Sequence, residues 1–271
     1  MLRVAIQGEK GAFSHEAARQ TLGDDVEVVP CETFDALFEA VARGAADRAV
    51  VPIENSLHGS IHENYDRLSA RDLHIVGELP LRVRQCLIAR PGSSLASLRK
   101  VASHPVALAQ CRRFFEDHPQ LEAVVAYDTA GSVRDLMRDG AATSAAIGSA
   151  LAAELYGGQV LIQGIEDDPQ NYTRFLVLAR APGALETATK TSLVFTLKNE
   201  PGVLHKALGA FALRGLDLAK IESRPLRGRP WEYLFYLDVL GDPRGALGEA
   251  LLELSGLATS LRVLGSYPGA L

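Results

Sequence analysis

The 271-residue sequence predicts an α/β protein with a second, smaller βαββαβ unit behind it. Three observations carry this. Short apolar runs alternate with helical patterns up to about residue 179, a small polar stretch punctuated by Pro and Gly follows at 181–189, and the alternation then restarts. The length alone favours two domains over one.

In order, apolar and β-branched runs place strands at 3–7, 27–29, 48–52, 73–78, 84–89, 101–103, 123–127, 145–147, 159–162 and 174–179. Helical spacing places helices at 14–22, 34–43, 62–69, 106–118, 132–139 and 149–155. Such alternation implies parallel sheets with helices on both faces, and ligands of open α/β sheets bind beyond the carboxyl ends of the strands. The stretch 181–189 reads as a linker. After it come a strand at 192–198, a helix at 203–214 and a strand at 217–223, then a turn around Arg227-Gly228-Arg229. A strand at 232–240, a helix at 244–254 and a strand at 261–267 complete the ferredoxin-like order. A sheet of that kind leaves one face or edge open and often pairs with a copy of itself.

Composition narrows the function. Apolar residues make up 47% and charged residues 23%, the balance of a globular protein rather than a disordered one. A net charge of −5, with the acidic excess before Lys190, argues against nucleic acid as a partner. The three cysteines, Cys31, Cys86 and Cys111, are widely spaced and include no C-x-x-C pair, so neither a disulfide framework nor a zinc knuckle is expected. The first residues read as a strand rather than a signal peptide, and no apolar run reaches the ~18 residues of a membrane span, so no membrane partner and a cytoplasmic home are the expectation.

Nucleotide and hydrolase signatures are missing: there is no P-loop, no G-x-G-x-x-G, no H-E-x-x-H and no G-x-S-x-G. His58 and His62, four apart beside Glu63, have a metal-ligand spacing, but the turn-like setting at Gly59 makes them polar surface or cleft residues instead. What stands out are polar clusters at strand–helix junctions. The run from Gly8 to Glu16 contains Ser14, placed as an N-cap. The run Pro52-Ile-Glu-Asn-Ser-Leu-His-Gly-Ser60, with Asn55 and Ser56, holds more hydrogen-bonding side chains than a plain turn needs. Ser103 and His104 precede Pro105, with Gln110 further along, and Asp128-Thr129-Ala-Gly-Ser132 fits a capped helix start. In Asp167-Asp-Pro-Gln-Asn-Tyr-Thr-Arg-Phe175, Arg174 at the head of an apolar strand needs a partner, either Asp167 or Asp168 or a carboxylate ligand held bidentately. Together these clusters describe a cleft of neutral donors with one fixed cation, suited to a small anion.

These residues resemble the prephenate dehydratase family. The resemblance rests on Ile6 to Ser14, Pro52-Ile-Glu-Asn-Ser56, Ser103-His-Pro105 with Ala109-Gln-Cys111, Ala145-Ala-Ile147 and above all Asn171-Tyr-Thr-Arg-Phe175. The tail resembles that family's ACT regulatory domain through Asn199-Glu-Pro-Gly-Val-Leu204 and Glu222-Ser-Arg-Pro225. Ala12 stands where the family often has Thr, and Val203 and His205 stand where Ala and Val are common. The resemblance implies a two-lobed catalytic domain like the type II periplasmic binding proteins over 1–180, a linker over 181–189 and an ACT domain over 190–271. With the first strand at residue 3, no chorismate mutase segment is expected.

The implied reaction turns prephenate into phenylpyruvate, water and carbon dioxide, on the route to phenylalanine. By resemblance Thr173 is the hydrogen-bond donor to the departing hydroxyl, with His104 or a water as proton reservoir. Arg174 is expected to hold the pyruvyl carboxylate, and Phe175 to lie beside the ring carboxylate that leaves. Ser14, Asn55, Ser56, Ser103, Gln110 and Thr129 are the expected substrate-binding residues. Asn199, Pro201, Gly202, Val203, Leu204, Glu222, Ser223, Arg224 and Pro225 are expected to bind phenylalanine as effector, in a homodimer or tetramer paired through ACT domains. No metal or organic cofactor is expected, because the chemistry involves neither redox nor a carbanion sink. Two alternatives remain: an arogenate dehydratase, in which Glu54 or Asp128 meets the substrate ammonium, and a non-catalytic two-lobed amino-acid or solute sensor.

Overall fold

A computed structural model describes residues 1–226, 231–241 and 243–270. Its first strands and helices are β1 (Leu2–Gln7), α1 (Phe13–Leu22), β2 (Val26–Cys31), α2 (Phe34–Ala42), β3 (Arg48–Asn55), β4 (Gly59–Ser60), α3 (His62–Ser69), β5 (His74–Arg82) and β6 (Cys86–Ala89). Next come β7 (Lys100–Ser103), α4 (Pro105–Ala109), α5 (Arg112–Asp117), β8 (Glu122–Val125), α6 (Thr129–Asp139), β9 (Ser144–Gly148), α7 (Ala150–Tyr156), β10 (Gln159–Gln163) and β11 (Tyr172–Ala179). The C-terminal part is β12 (Lys190–Leu197), α8 (Val203–Ala212), β13 (Leu218–Pro225), β14 (Tyr233–Leu240), α9 (Ala246–Leu257) and β15 (Ala258–Tyr267). The expected turn at Arg227-Gly228-Arg229 lies outside the described residues.

Contacts divide the chain into two compact units, Met1–Asn64 with Leu79–Phe175 and Tyr65–Glu78 with Leu176–Leu271. That partition differs from a division at 180 and 190, because α3 from Tyr65 onward, the start of β5 and the end of β11 group with the C-terminal sheet.

Two sheets organise the first part. One has the order β2-β1-β3-β11-β5, with β1 parallel to β2 and β3, and β4 turned back on β3. The other has the order β10-β6-β9-β7-β8. Here β7 is parallel to β8 and β9, but β6 runs antiparallel to β9 and β10, which corrects the expectation of purely parallel sheets. Connectivity allows this: β6 and β7 flank β9 in opposite directions and are joined without an α-helical crossover. Leu87, Val101, Cys111, Phe114, Ala145 and Ile147 fill one face of this sheet. Ile88, Ala130, Val133, Ala146 and Ala152 fill the other.

The expected single helix at 106–118 is two helices, broken at Gln110 and Cys111. The break has a distant cause. Asp167 accepts hydrogen bonds from the backbone N–H groups of Arg112 and Arg113, at 3.2 and 2.9 Å, and so caps α5 from outside the helix. Helix α1 begins at Phe13 with Ala12 at its N-cap, so Ser14 is not the cap; its hydroxyl donates instead to the Gln7 carbonyl, 3.2 Å away.

In the second unit the sheet order is β13-β14-β12-β15, with every neighbouring pair antiparallel. Leu193, Phe195, Leu237 and Val239 of the sheet pack with Ala207, Phe211, Ala250 and Leu254 of α8 and α9. Yet all of β12 is buried, so its other face is covered too. The cover is the segment Tyr65–Glu78. Tyr236 Oη donates to the Tyr65 carbonyl (2.8 Å), and Arg262 donates to the carbonyls of Ser69 and Leu73. At Gly265 a Cβ would lie 2.8 Å from the Ile75 nitrogen, so only glycine allows this close approach.

Candidate active site

A cleft of ≈ 440 Å³ opens beyond the carboxyl ends of β1, β3 and β7, within the size range of small-molecule sites. The chain leaves each strand there by a polar turn. Gln7 ends β1, Asn55 ends β3, and His104 and Asp128 follow β7 and β8 as N-caps of α4 and α6. Thr173 and Phe175 of β11 complete one wall.

The β1–α1 loop is pinned from behind. Gly11 has φ +91°, and a Cβ there would sit 2.8 Å from Ala152 Cα. Ser149 Oγ donates to the Gly11 carbonyl (2.5 Å), and the Gly11 N–H donates to His15 Nδ1 (3.0 Å). Burial, followed by the charges of Arg19 and Lys10, lowers the pKa of His15 and favours the neutral ring that this acceptor role needs. No side chain caps α1, and its first residues Ala12, Phe13 and Ser14 line the cleft, bringing the positive end of the helix dipole to its wall, while the His15 and Glu16 N–H groups bond the Ala12 carbonyl.

Asn55 is the most connected side chain of the site. Its Oδ1 accepts from the N–H groups of Leu57 (3.0 Å) and His58 (3.1 Å). Its Nδ2 donates to Asn171 Oδ1 (2.8 Å), the Tyr172 carbonyl (3.1 Å) and Thr173 Oγ1 (3.0 Å). His104 accepts the Val106 N–H at Nδ1 (3.3 Å), so its neutral ring carries the proton on Nε2. Gln110 meets His58 Nε2 at 3.2 Å and accepts from Gln85 Nε2 at 3.2 Å. Asp128 accepts the Gly131 N–H (2.7 Å), and burial raises its pKa above the ordinary carboxylate value.

Of the residues expected from sequence, the cleft brings together Ser14, Asn55, His104, Gln110, Thr129, Thr173 and Phe175. It does not include Ser56, Ser103 or Arg174. The Ser56 hydroxyl donates to the Gln170 carbonyl and accepts the Tyr172 N–H, tying the β3 turn to the start of β11. Ser103 is fully buried and donates to the Ile147 carbonyl. Arg174 is half-buried, and strand alternation turns it to the opposite face of β11 from Thr173 and Phe175. The expected convergence of a hydroxyl and a guanidinium on one anion is therefore corrected: neighbours on a strand point to opposite sides. Asp167 is committed to α5 and Asp168 to the Gln170 N–H.

Gln85 and Tyr127 line the cleft and were not among the expected substrate contacts; Asp128, expected only as an ammonium contact in the arogenate reading, lines it too. Gln85 sits just ahead of β6 and is 2% exposed; the signal for it was a glutamine at the head of an apolar run. Among the described residues no group of three or more His, Cys, Asp or Glu side chains is placed to hold a metal ion. The three cysteines are buried and unbridged, and burial pushes the Cys86 thiol up to about 11, far from a reactive thiolate.

In the second unit the two expected effector segments lie at one end of the sheet. Asn199, Pro201 and Gly202 form the exposed turn between β12 and α8, with Gly202 at φ +79° as N-cap and Val203 and Leu204 in the first helical turn. Glu222, Ser223, Arg224 and Pro225 end β13. Arg224 is in register with Leu234 and Leu234 with Thr196, which places the segments two strands, or ~10 Å, apart. Arg224 Nη2 donates to Asp66 Oδ2 at 3.1 Å.

Residues 4–183 match the family described as prephenate dehydratase. The chain belongs to the prephenate dehydratase family. Residues 191–253 match the ACT domain, the regulatory module that accompanies the dehydratase part. An Arabidopsis thaliana relative named arogenate dehydratase/prephenate dehydratase 2, chloroplastic, is 48% identical over 279 residues, spanning 98% of this chain and 73% of the relative. The structure of a prephenate dehydratase from Arthrobacter aurescens in complex with L-Phe superposes with a TM-score of 0.87 at 34% identity, covering 98% of this chain and 89% of that one. A structure described as GqqA, a novel type of quorum quenching acylase, superposes with a TM-score of 0.91 at 39% identity over 99% of this chain and 98% of that one. The comparisons correct one expectation. The cytoplasmic home expected from the opening residues and the lack of an apolar span is not upheld: Arabidopsis thaliana relatives over 98% of this chain are named as chloroplastic proteins.

Proposed function

We propose that the cleft catalyses the decarboxylating dehydration of prephenate to phenylpyruvate, with phenylalanine acting on the ACT domain as feedback inhibitor. The observation that carries the reading is Thr173, a hydroxyl in the cleft wall oriented by the Asn55 amide. The reaction expels hydroxide and carbon dioxide and makes an aromatic ring, so its barrier lies in the poor leaving group. A donor against that oxygen stabilises the charge developing there, typically by ~10²–10⁴-fold. The threonine cannot give up its proton outright at neutral pH. One proton must therefore reach the departing hydroxide to make water; solvent entering the cleft supplies it, and the neutral His104 ring, with Nε2–H free of the capping contact, can orient that water by a hydrogen bond.

Binding of the substrate carboxylate that stays falls to the uncapped start of α1 rather than to Arg174. Gln85, Gln110 and Thr129 are further orienting donors. Arogenate is the second reading, favoured by Asp128, an acidic group in the cleft able to meet an ammonium. Amide hydrolysis, the activity in the description of the acylase neighbour, fits less well. The cleft hydroxyls of Ser14 and Thr173 are engaged by a carbonyl and an amide, not by an imidazole that would activate them.

On the regulatory side, β13 is an edge of its sheet and exposes Ile221, a surface suited to pairing with a second copy and forming the effector site between ACT domains. The test supplies purified protein with prephenate or arogenate, with and without phenylalanine. Ultraviolet absorbance of phenylpyruvate follows the first and chromatography of phenylalanine the second. Turnover of prephenate supports the proposal, turnover of arogenate alone selects the second reading, and turnover of neither refutes both.

A further inference from the structure

We infer that Asn55 is a positioning residue that acts through Thr173, aiming its hydroxyl proton into the cleft, rather than a substrate contact. The inference rests on the dehydratase reading of the cleft. Two backbone donors, the N–H groups of Leu57 and His58, fix Oδ1 as the acceptor end of the Asn55 side chain. Its Nδ2 must then face β11, where three oxygens receive it: Asn171 Oδ1, the Tyr172 carbonyl and Thr173 Oγ1. An N–H that points at Oγ1 occupies one lone pair and excludes the hydroxyl hydrogen from that direction. Thr173 is 9% exposed and lines the cleft, so the hydrogen is left for an acceptor bound there. A threonine without this contact would spread its hydrogen over three staggered positions and donate in only some of them. Ser56 holds the same strand in place from the other side of the turn, accepting the Tyr172 N–H at 2.9 Å.

Asn55→Asp tests this with nearly unchanged shape. The new carboxylate still accepts from Leu57 and His58, so the turn keeps its cap. Towards β11 its polarity is reversed, and it captures the Thr173 hydroxyl proton and turns it away from the cleft. Asn171 is fully buried with Nδ2 unpartnered, so a rotation of that amide supplies the new carboxylate with a donor.

The expected result is a kcat lowered at least about tenfold, with KM within about threefold and little change in Tm. In a Thr173→Val background the same substitution should cost less than about threefold more, because its route of action is already removed. Should Asn55→Asp fail to fold, Asn55→Ser, whose shorter hydroxyl can cap the turn but not reach β11, should give the same kcat loss and the same non-additivity. An active parent enzyme whose kcat survives these changes overturns the inference, as does a loss that multiplies in full with Thr173→Val. A parent that turns over neither prephenate nor arogenate removes the dehydratase reading itself, and the inference with it.

Discussion

Replacing Thr173 by Val and by Ser separates chemistry from packing, because the two changes should rank in opposite orders for stability and for rate. Valine keeps the volume and suits a strand. It removes one acceptor of Asn55 Nδ2, but that nitrogen has two hydrogens and retains Asn171 Oδ1 and the Tyr172 carbonyl. The cost to folding is therefore at the low end for a lost hydrogen bond, about 0.5 kcal/mol. Serine keeps the hydroxyl and loses a buried methyl, which costs about 1 kcal/mol. In catalysis the order reverses. Losing a donor worth ~10²–10⁴-fold raises the barrier by about 2.7–5.5 kcal/mol for valine, whereas serine should stay within about tenfold of the parent. The measurements are kcat and KM from product absorbance, and Tm by thermal melting. A valine variant within tenfold of the parent, or a serine variant as slow as the valine one, would show that the methyl group and not the hydroxyl matters.

Three further outcomes are expected. The Glu78–Lys190 pair, 2.6 Å apart with side chains 2% and 3% exposed, should cost about 3–5 kcal/mol on replacement of Glu78 by Ala, read from denaturant midpoints; a loss below 1 kcal/mol would mean the lysine finds water. Asp66→Asn removes the partner of Arg224 on α3, the helix that follows the cleft-lining residues Gly59–Ile61. It should leave basal turnover unchanged and weaken phenylalanine inhibition by about 2–30-fold, and an unaltered inhibition curve would exclude α3 from the coupling. His15, whose pKa burial lowers, contributes stability that is complete above the unfolded value of 6.5 and is lost as pH falls through the folded value. Chemical denaturation from pH 8 to pH 5 should therefore show a decline that His15→Gln makes shallower, and an equal decline in both proteins would assign it elsewhere.

Much of this architecture is legible in the chain because burial writes periodicity into it. The strand expected at 48–52, which runs on to Asn55, and the helix at His62–Ser69 follow from their residue spacing, and the ACT-like unit appears with its βαββαβ order intact. What was not legible comes from residues far apart. Asp167 breaks a helical pattern 55 positions away, which no local window contains. Ser14 looked like a cap from its type and place, but the Gln7 carbonyl takes its hydroxyl and the helix starts earlier. Arg174 is a different case, since alternation of side chains along β11 separates it from its neighbour Thr173.

That separation changes how the substrate's charge is handled. Among the described residues lining the cleft there is no lysine or arginine; the polar contacts come from amides, hydroxyls, imidazoles, one carboxylate and helix starts. A guanidinium gripping the ring carboxylate would stabilise the dianion more than the transition state in which that charge moves into the ring, and so would slow that step. Neutral dipoles hold an anion more weakly and are satisfied equally well as its charge is redistributed. With Phe175 3% exposed in the same wall, the departing carboxylate would face an apolar surface on which its charge is less stable than in water. The lining's want of a fixed cation spares the departing ring carboxylate such a grip, and it leaves the pyruvyl carboxylate, expected on Arg174, to neutral donors and helix starts. It makes a sharp distinction for Arg174→Gln: a loss of folding stability with kcat retained in the surviving enzyme follows from its place on the far face of β11, whereas a rise in KM with Tm unchanged would return the guanidinium to the substrate.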